Sequence, residues 1–175
     1  MIHLVLGGAR SGKSSHGVAL VSHYVARGAE ALFIATAQAF DDEMTARIAR
    51  HQAERAGDEI AWRMLECPLD LSECLAQQAH AKQVILVDCL TLWLTNQLLS
   101  DEHDWPQVKA QLLATLTALP GDVILISNEV GSGIVPADPL SRRFVDEAGW
   151  LHQAIAALAD EVTLVTAGLP MRLKG

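Results

Sequence analysis

Runs of consecutive apolar residues alternate along the chain with stretches whose apolar positions recur every three or four residues. The runs Ile2–Leu6, Ala31–Thr36, Ile60–Glu66, Val84–Asp88, Val123–Ser127 and Val162–Thr166 predict strands. The stretches Lys13–Arg27, Asp42–Arg55, Leu69–His80, Leu90–Leu99, Trp105–Leu119 and Leu140–Ala159 predict helices. Strands that are apolar without interruption are buried on both faces, as in a parallel sheet with helices packed on either side. No repeat, low-complexity tract or Pro/Gly/Ser-rich linker divides the chain, so residues 1–175 are expected to form one α/β domain. In such sheets ligands gather at the carboxyl ends of the strands, and those ends are where polar residues are informative.

The first strand ends in Gly7-Gly8-Ala9-Arg10-Ser11-Gly12-Lys13-Ser14, which then opens the first helix. This is G-x-x-x-x-G-K-[ST], the phosphate-binding loop, in the strand–loop–helix setting that the motif requires. Its glycines let the backbone curl amide N–H groups around phosphate oxygens. Lys13 supplies a point charge for the β- and γ-phosphates, and the Ser14 hydroxyl is a ligand for Mg²⁺. The helix adds the positive end of its dipole. The chain is expected to bind a nucleoside triphosphate.

Charge and composition narrow the class. A net charge of −8 over 175 residues disfavours a nucleic-acid partner, which calls for a basic face. The nucleotide must therefore be held by local charges. Three cysteines, Cys67, Cys74 and Cys89, form no C-x-x-C pair, which suits a reducing cytosol and argues against a disulfide framework. No basic n-region precedes a long apolar stretch, and no run nears the roughly 18 apolar residues of a membrane span. The expectation is a cytoplasmic enzyme without a membrane span.

The remaining strand ends supply further candidates. Thr36 and Gln38 leave the second strand as groups suited to ribose or phosphate contacts, or as ordinary strand-end residues. Glu66 ends the third strand as a nucleotide or metal contact, or as an exposed terminus. Asp88 ends an otherwise apolar fourth strand, the pattern in which a carboxylate reaches Mg²⁺ directly or through water. Cys89 and Trp93 read as buried residues. After the fifth strand, Asn128 and Glu129 stand where an acceptor could be touched, and Gly131, Gly133 and Pro136 shape a binding loop or flap. Arg142 and Arg143 fit either a lid or the start of a surface helix. Trp150 and His152 read as packing or interface residues. The tail after Gly168 carries no assignable chemistry.

Arg47, His51 and Arg55 recur every fourth residue and share one face of the helix predicted over Asp42–Arg55. Flanking positive charge biases His51 toward the neutral, nucleophilic imidazole, and the arginines could hold a phosphate against it. The competing reading is a solvated basic face opposed by Glu43 and Glu54. No Asn-Lys-x-Asp guanine motif is present, so an ordinary GTPase is disfavoured.

With Asp41-Asp42-Glu43-Met44, Arg47-Ile48 before His51, Asp88-Cys89-Leu90-Thr91 and Asn128-Glu129-Val130-Gly131 through Gly133-Ile134-Val135-Pro136, the chain resembles a known family over nearly its whole length. That family is the bifunctional adenosylcobinamide kinase / adenosylcobinamide-phosphate guanylyltransferases of cobalamin biosynthesis. The resemblance implies a P-loop NTPase-type three-layer sandwich with a mostly parallel central sheet. It implies phosphorylation of adenosylcobinamide by a nucleoside triphosphate, then transfer of GMP from GTP through a guanylylated histidine that aligns with His51. Nucleotide-binding positions carry over to Gly7 through Ser14, to Thr36, Ala37 and Gln38, to Gln52, Ala53, Glu54 and Arg55, and to Glu66 and Asp88. Lys13 joins His51 as catalytic, and Ser14 and Asp88 as the Mg²⁺ positions. The resemblance also implies GTP and ATP as substrates, a corrinoid acceptor and a homo-oligomer, with a trimer as the form to expect. The chain departs from the family pattern at Ser15, at Gln52 and at Trp150 and His152, which replace a common Arg and Asn. The alternatives are a P-loop kinase for another small alcohol, with His51 structural, and a nucleotide-gated switch module.

Overall fold

In a computed structural model, residues 1–37, 60–100 and 104–175 are described. The helix predicted over Asp42–Arg55, and with it Arg47, His51 and Arg55, lies outside the described residues. The predicted strands form with their ends moved by one or two residues. They are β1 (Ile2–Gly7), β2 (Glu30–Ala35), β3 (Trp62–Glu66), β4 (Gln83–Asp88), β5 (Asp122–Asn128) and β6 (Glu161–Thr166). A seventh strand, β7 (Leu169–Lys174), occupies the tail that reads as featureless in sequence. The sheet order is β3-β2-β4-β5-β1-β6-β7, with β7 alone antiparallel.

The described helices are α1 (Lys13–Val25), α2 (Leu71–Gln78), α3 (Leu90–Leu99), α4 (Trp105–Ala118) and α5 (Pro139–Leu158). They divide between the two faces of the sheet because successive strand side chains point in opposite directions. Val5, Phe33, Leu86 and Ile126 pack toward α1 with Val21. Leu4, Ile34, Val87 and Leu125 pack toward the other helices with Leu75, Leu90, Leu112 and Ile155. Burying such side chains contributes roughly 1.5–3 kcal/mol each. Trp93 is wholly buried, and its indole N–H donates to the Leu69 carbonyl at 2.8 Å, so the one polar atom of the ring is satisfied. All three cysteines are buried free thiols. The sheet is thus the middle of three layers, the architecture expected of the chain.

The unforeseen strand follows from its turn. Ala167 (φ 52°) and Gly168 (φ 77°) both take left-handed conformations, the two-residue hairpin geometry whose twist matches that of the flanking strands. Pro170 is tolerated because β7 is an edge strand, where a missing N–H costs no ladder bond. No helix among the described residues is long and apolar enough to cross a membrane.

Candidate functional site

The carboxyl ends of β1, β5 and β4 lie side by side, so the loop after β1, the tip of β5 and Asp88 share one edge of the sheet. Positive φ at Arg10 (55°) and Gly12 (94°) bends the loop back before α1 begins at Lys13. A side chain at Gly12 would approach the Cα of Gly168 at 3.1 Å, and the Gly168 N–H donates to the Ser11 carbonyl at 2.7 Å. The β6–β7 hairpin therefore props the loop from beneath. The Lys13 ammonium donates to the Gly8 carbonyl at 3.1 Å, and the Ser11 hydroxyl is buried without a partner among the described residues. Gly8, Ala9 and Arg10 are exposed, whereas Lys13 and Ser14 are half-buried.

Asp88 is half-buried at the end of β4. The peptide that joins it to Cys89 is cis. Burial, reinforced by the Asp88 charge, pushes the Cys89 thiol up to about 11, while Thr91 and the Lys13 charge pull it back. That thiol stays protonated near neutral pH and is no nucleophile. The loop after β1 and Asp88 thus sit at the ends of the two strands that flank β5.

Thr36 sits just past β2 and is fully buried. Its hydroxyl donates to the Cys89 carbonyl at 2.6 Å and accepts from the Cys89 N–H at 2.9 Å. The side chain thus clamps the end of β4, and the Thr36 N–H donates to the Asp88 carbonyl at 3.4 Å. Asn96, also buried, donates to the Thr36 carbonyl at 2.8 Å and to the Pro68 carbonyl at 2.9 Å, tying together the chain beyond β2 and β3. Ala37 follows half-buried, and Glu66 is exposed at the end of β3. Gln38, His51, Gln52, Ala53, Glu54 and Arg55 lie outside the described residues.

At the tip of β5 the Glu129 N–H donates to the Gly7 carbonyl at 3.1 Å, and its carboxylate accepts from the Gly131 N–H at 2.7 Å. The Asn128 N–H donates to the Thr91 hydroxyl at 2.7 Å, and the Asn128 side-chain oxygen is buried without a partner among the described residues. Beyond it, Val130, Ile134 and Pro136 line a cleft with Arg142, Val145 and Asp146 of α5. The Arg142 guanidinium donates to the carbonyls of Pro136 and Ala137, so it closes the loop onto the helix that begins there. Trp150 is exposed. Ser127 carries no motif signal, and Thr91 stands out in the sequence only as the last residue of Asp88-Cys89-Leu90-Thr91. Their part emerges only where β5 meets α3.

Comparison with known proteins assigns this arrangement. The sequence pattern of a family described as cobinamide kinase / cobinamide phosphate guanyltransferase matches residues 3–173. The bifunctional adenosylcobalamin biosynthesis protein CobP of Pseudomonas aeruginosa is 53% identical over 179 residues, covering 100% of this chain and 98% of that protein. The bifunctional adenosylcobalamin biosynthesis protein CobU of Escherichia coli is 39% identical over 188 residues, covering 99% of this chain and all of its own. Among solved structures, the flagellar accessory protein FlaH of Methanocaldococcus jannaschii aligns with a TM-score of 0.56 at 12% identity, over 99% of this chain and 77% of that one. A KaiC-like protein of Pyrococcus horikoshii aligns at 0.53 and 13% identity, over 93% of this chain and 69% of that one. The structural likenesses speak to the fold alone, while the sequence matches span the whole chain. The chain belongs to the cobinamide kinase / cobinamide phosphate guanyltransferase family and is an enzyme of that class.

Proposed function

We propose that both transfers take place at the edge formed by the loop after β1, the tip of β5 and Asp88. In the first, a hydroxyl of adenosylcobinamide attacks the γ-phosphorus of ATP or GTP. A phosphorus–oxygen bond forms, the bond to the β-phosphate breaks, and the nucleoside diphosphate leaves. In the second, neutral His51 attacks the α-phosphorus of GTP and pyrophosphate departs. The phosphate of adenosylcobinamide-phosphate then displaces the imidazole to give adenosylcobinamide-GDP. Passing the nucleotidyl group through a nitrogen nucleophile divides one difficult transfer into two easier ones.

The observation that carries this reading is that the loop after β1, which leads into Lys13, and Asp88 at the end of β4 lie at one edge of the sheet, on the two strands that flank β5, in a chain of this family. Gly7 through Ser14 would cradle the triphosphate, with Lys13 stabilising charge on the departing phosphates. Ala37, Gln38, Glu66 and the segment Gln52–Arg55 would contact the rest of the nucleotide, with the buried Thr36 holding the strand end behind them. The Ser14 hydroxyl and Asp88 carboxylate are hard oxygen donors of the kind Mg²⁺ takes, and would hold it. Among the described residues no group of three or more His, Cys, Asp or Glu side chains could hold a metal. That donor set fits an ion bound by one or two protein oxygens together with nucleotide phosphates. When bound, Mg²⁺ neutralises charge on the phosphates. We place the enzyme in the cytoplasm as a homo-oligomer, with a trimer as its expected form.

GTP labelled in the α-phosphate tests the reading directly. The expected result is a protein-bound label, labile to acid and stable to alkali, that is lost in His51→Ala. A wild-type protein that phosphorylates adenosylcobinamide but never takes up the label would reduce it to a single-activity kinase.

A further inference from the structure

The tip of β5 is fastened on two sides. Toward β1 the Glu129 N–H is bonded to Gly7, part of the loop itself. Toward the helices runs a chain of short contacts. The Asn128 N–H donates to Thr91 Oγ1 at 2.7 Å, Thr91 Oγ1 lies 3.3 Å from Ser127 Oγ, and Ser127 Oγ lies 2.7 Å from His152 Nε2. Ser127 is 1% exposed, so bulk water does not reach the middle of the chain. The end of this chain is the segment that carries Asn128, with its buried, unpartnered oxygen, and Glu129.

With Nε2 unprotonated, the Ser127 hydroxyl donates to it, and the Thr91 hydroxyl, which accepts from the Asn128 N–H, lies beside Ser127 Oγ at 3.3 Å. The neutral tautomer with its proton on Nδ1 completes the run. A protonated Nε2 would instead donate to Ser127, and the Ser127 proton would lose Nε2 as its acceptor.

We propose that His152 is a positioning residue for phosphoryl transfer: through Ser127 and Thr91 it holds the Asn128–Glu129 tip in register between Lys13 and Asp88, where the γ-phosphate meets the acceptor hydroxyl. The inference rests on the reading of the chain as a cobinamide kinase. His152 itself touches no reacting atom. Burial keeps its imidazole below the ordinary histidine range, opposed by the Glu129 charge. The other elements packed on α5 bring little charge to it. α3 carries no ionisable side chain, Lys109 of α4 is paired with Glu147, and His3 of β1 is turned to the opposite face against His16.

The test uses the full chain with His152→Ala, His152→Gln and Ser127→Ala. Each is assayed for adenosylcobinamide phosphorylation across pH and for protein labelling by α-labelled GTP. Truncation at either position is expected to lower kcat for phosphorylation roughly 10- to 100-fold, with KM for the nucleotide and the labelling within about twofold of wild type. Glutamine restores an acceptor near the Nε2 position without titrating. It should recover kcat near neutral pH and remove the acid-side fall in rate expected of the wild type as His152 takes up a proton. Equal losses in both reactions, unchanged kcat in the alanine variants, or an acid limb that persists in His152→Gln would each overturn the proposal. Thermal melts accompany the series, and if His152→Ala does not fold, the Ser127→Ala and His152→Gln results decide. A wild-type enzyme that fails to phosphorylate adenosylcobinamide refutes the kinase reading instead, and is seen before any variant is made.

Discussion

Two glycine-bearing loops meet at the same edge of the sheet, and they differ in what their glycines answer to. In the loop after β1, a Cβ on Gly7 would fall 2.4 Å from the Ser11 hydroxyl and 2.6 Å from the Val165 carbonyl. Gly12 is held at a φ of 94°. In the loop after β5, nothing lies within 4 Å of a Cβ built on Gly133, and one on Gly131 would meet only the Glu129 carboxylate, at 3.2 Å. There Ile134 is 98% and Val135 75% exposed. The first loop is shaped by the packing of its own chain. The second is left open to whatever approaches the edge.

The largest effect should come from breaking the first loop. Gly7→Ala puts a methyl group against the Val165 carbonyl, which is backbone of β6 and cannot rotate away. The β1–β6 register must shift. A stability loss of about 1–3 kcal/mol in urea unfolding is expected, together with nucleotide binding weakened roughly tenfold or more. A variant as stable and as tight-binding as wild type would show that the contact relaxes freely, and the contrast between the loops would fall.

The same contrast explains what could be read without coordinates. Continuous apolar runs located the parallel strands because burial on both faces leaves no other pattern. The bounds of α3 matched the prediction, Leu90–Leu99. Glycines followed by Lys13 and Ser14 marked the loop after β1, since a local motif carries its own geometry. The hairpin beneath it was missed because Ala167 adopts a backbone conformation that alanine rarely takes, so the turn left no residue signal. The Thr36 clamp and the contact between Ser127 and His152 join positions 53 and 25 residues apart. Periodicity reports which face a residue occupies. It does not report the partner across that face, so His152 read as packing.

Thr36→Val sharpens the picture at the β4 side of the edge. Valine keeps the shape but removes the hydroxyl, leaving the Cys89 N–H and carbonyl without the partner they have now. A loss of about 1–2 kcal/mol is expected from thermal or urea unfolding, with Thr36→Ser close to wild type. Equal losses in both variants would place the effect in packing and not in the clamp.

A smaller effect should appear with pH. Burial holds His3 below its ordinary value, as do the charges of His16 and Arg172, while Glu161 opposes them. The unfolded chain therefore protonates first as pH falls. Stability is complete above about pH 7 and is lost as pH drops through about 6.5. The expected slope is at most about 1.4 kcal/mol per pH unit for this group. His3→Gln, which can still reach Thr163, should flatten the dependence of Tm on pH between about pH 7.5 and 5.5. An unchanged slope would assign the dependence to His16 or His152, whose imidazoles burial also holds low.

The smallest expected change in stability is the one that isolates the second loop. Gly133→Ala adds a methyl group to open space at a backbone conformation without positive φ, so unfolding should shift by no more than about 0.5 kcal/mol. If the loop lies against the acceptor during catalysis, the same variant should raise KM for adenosylcobinamide while leaving nucleotide affinity alone, since the loop after β1 is untouched. Paired with Gly7→Ala, it separates two uses of one residue type. In one loop glycine makes room for the protein, and in the other it is expected to make room for the substrate. A loss of stability in Gly133→Ala comparable to that of Gly7→Ala would mean that the second loop is packed in solution, and the distinction between the two would dissolve.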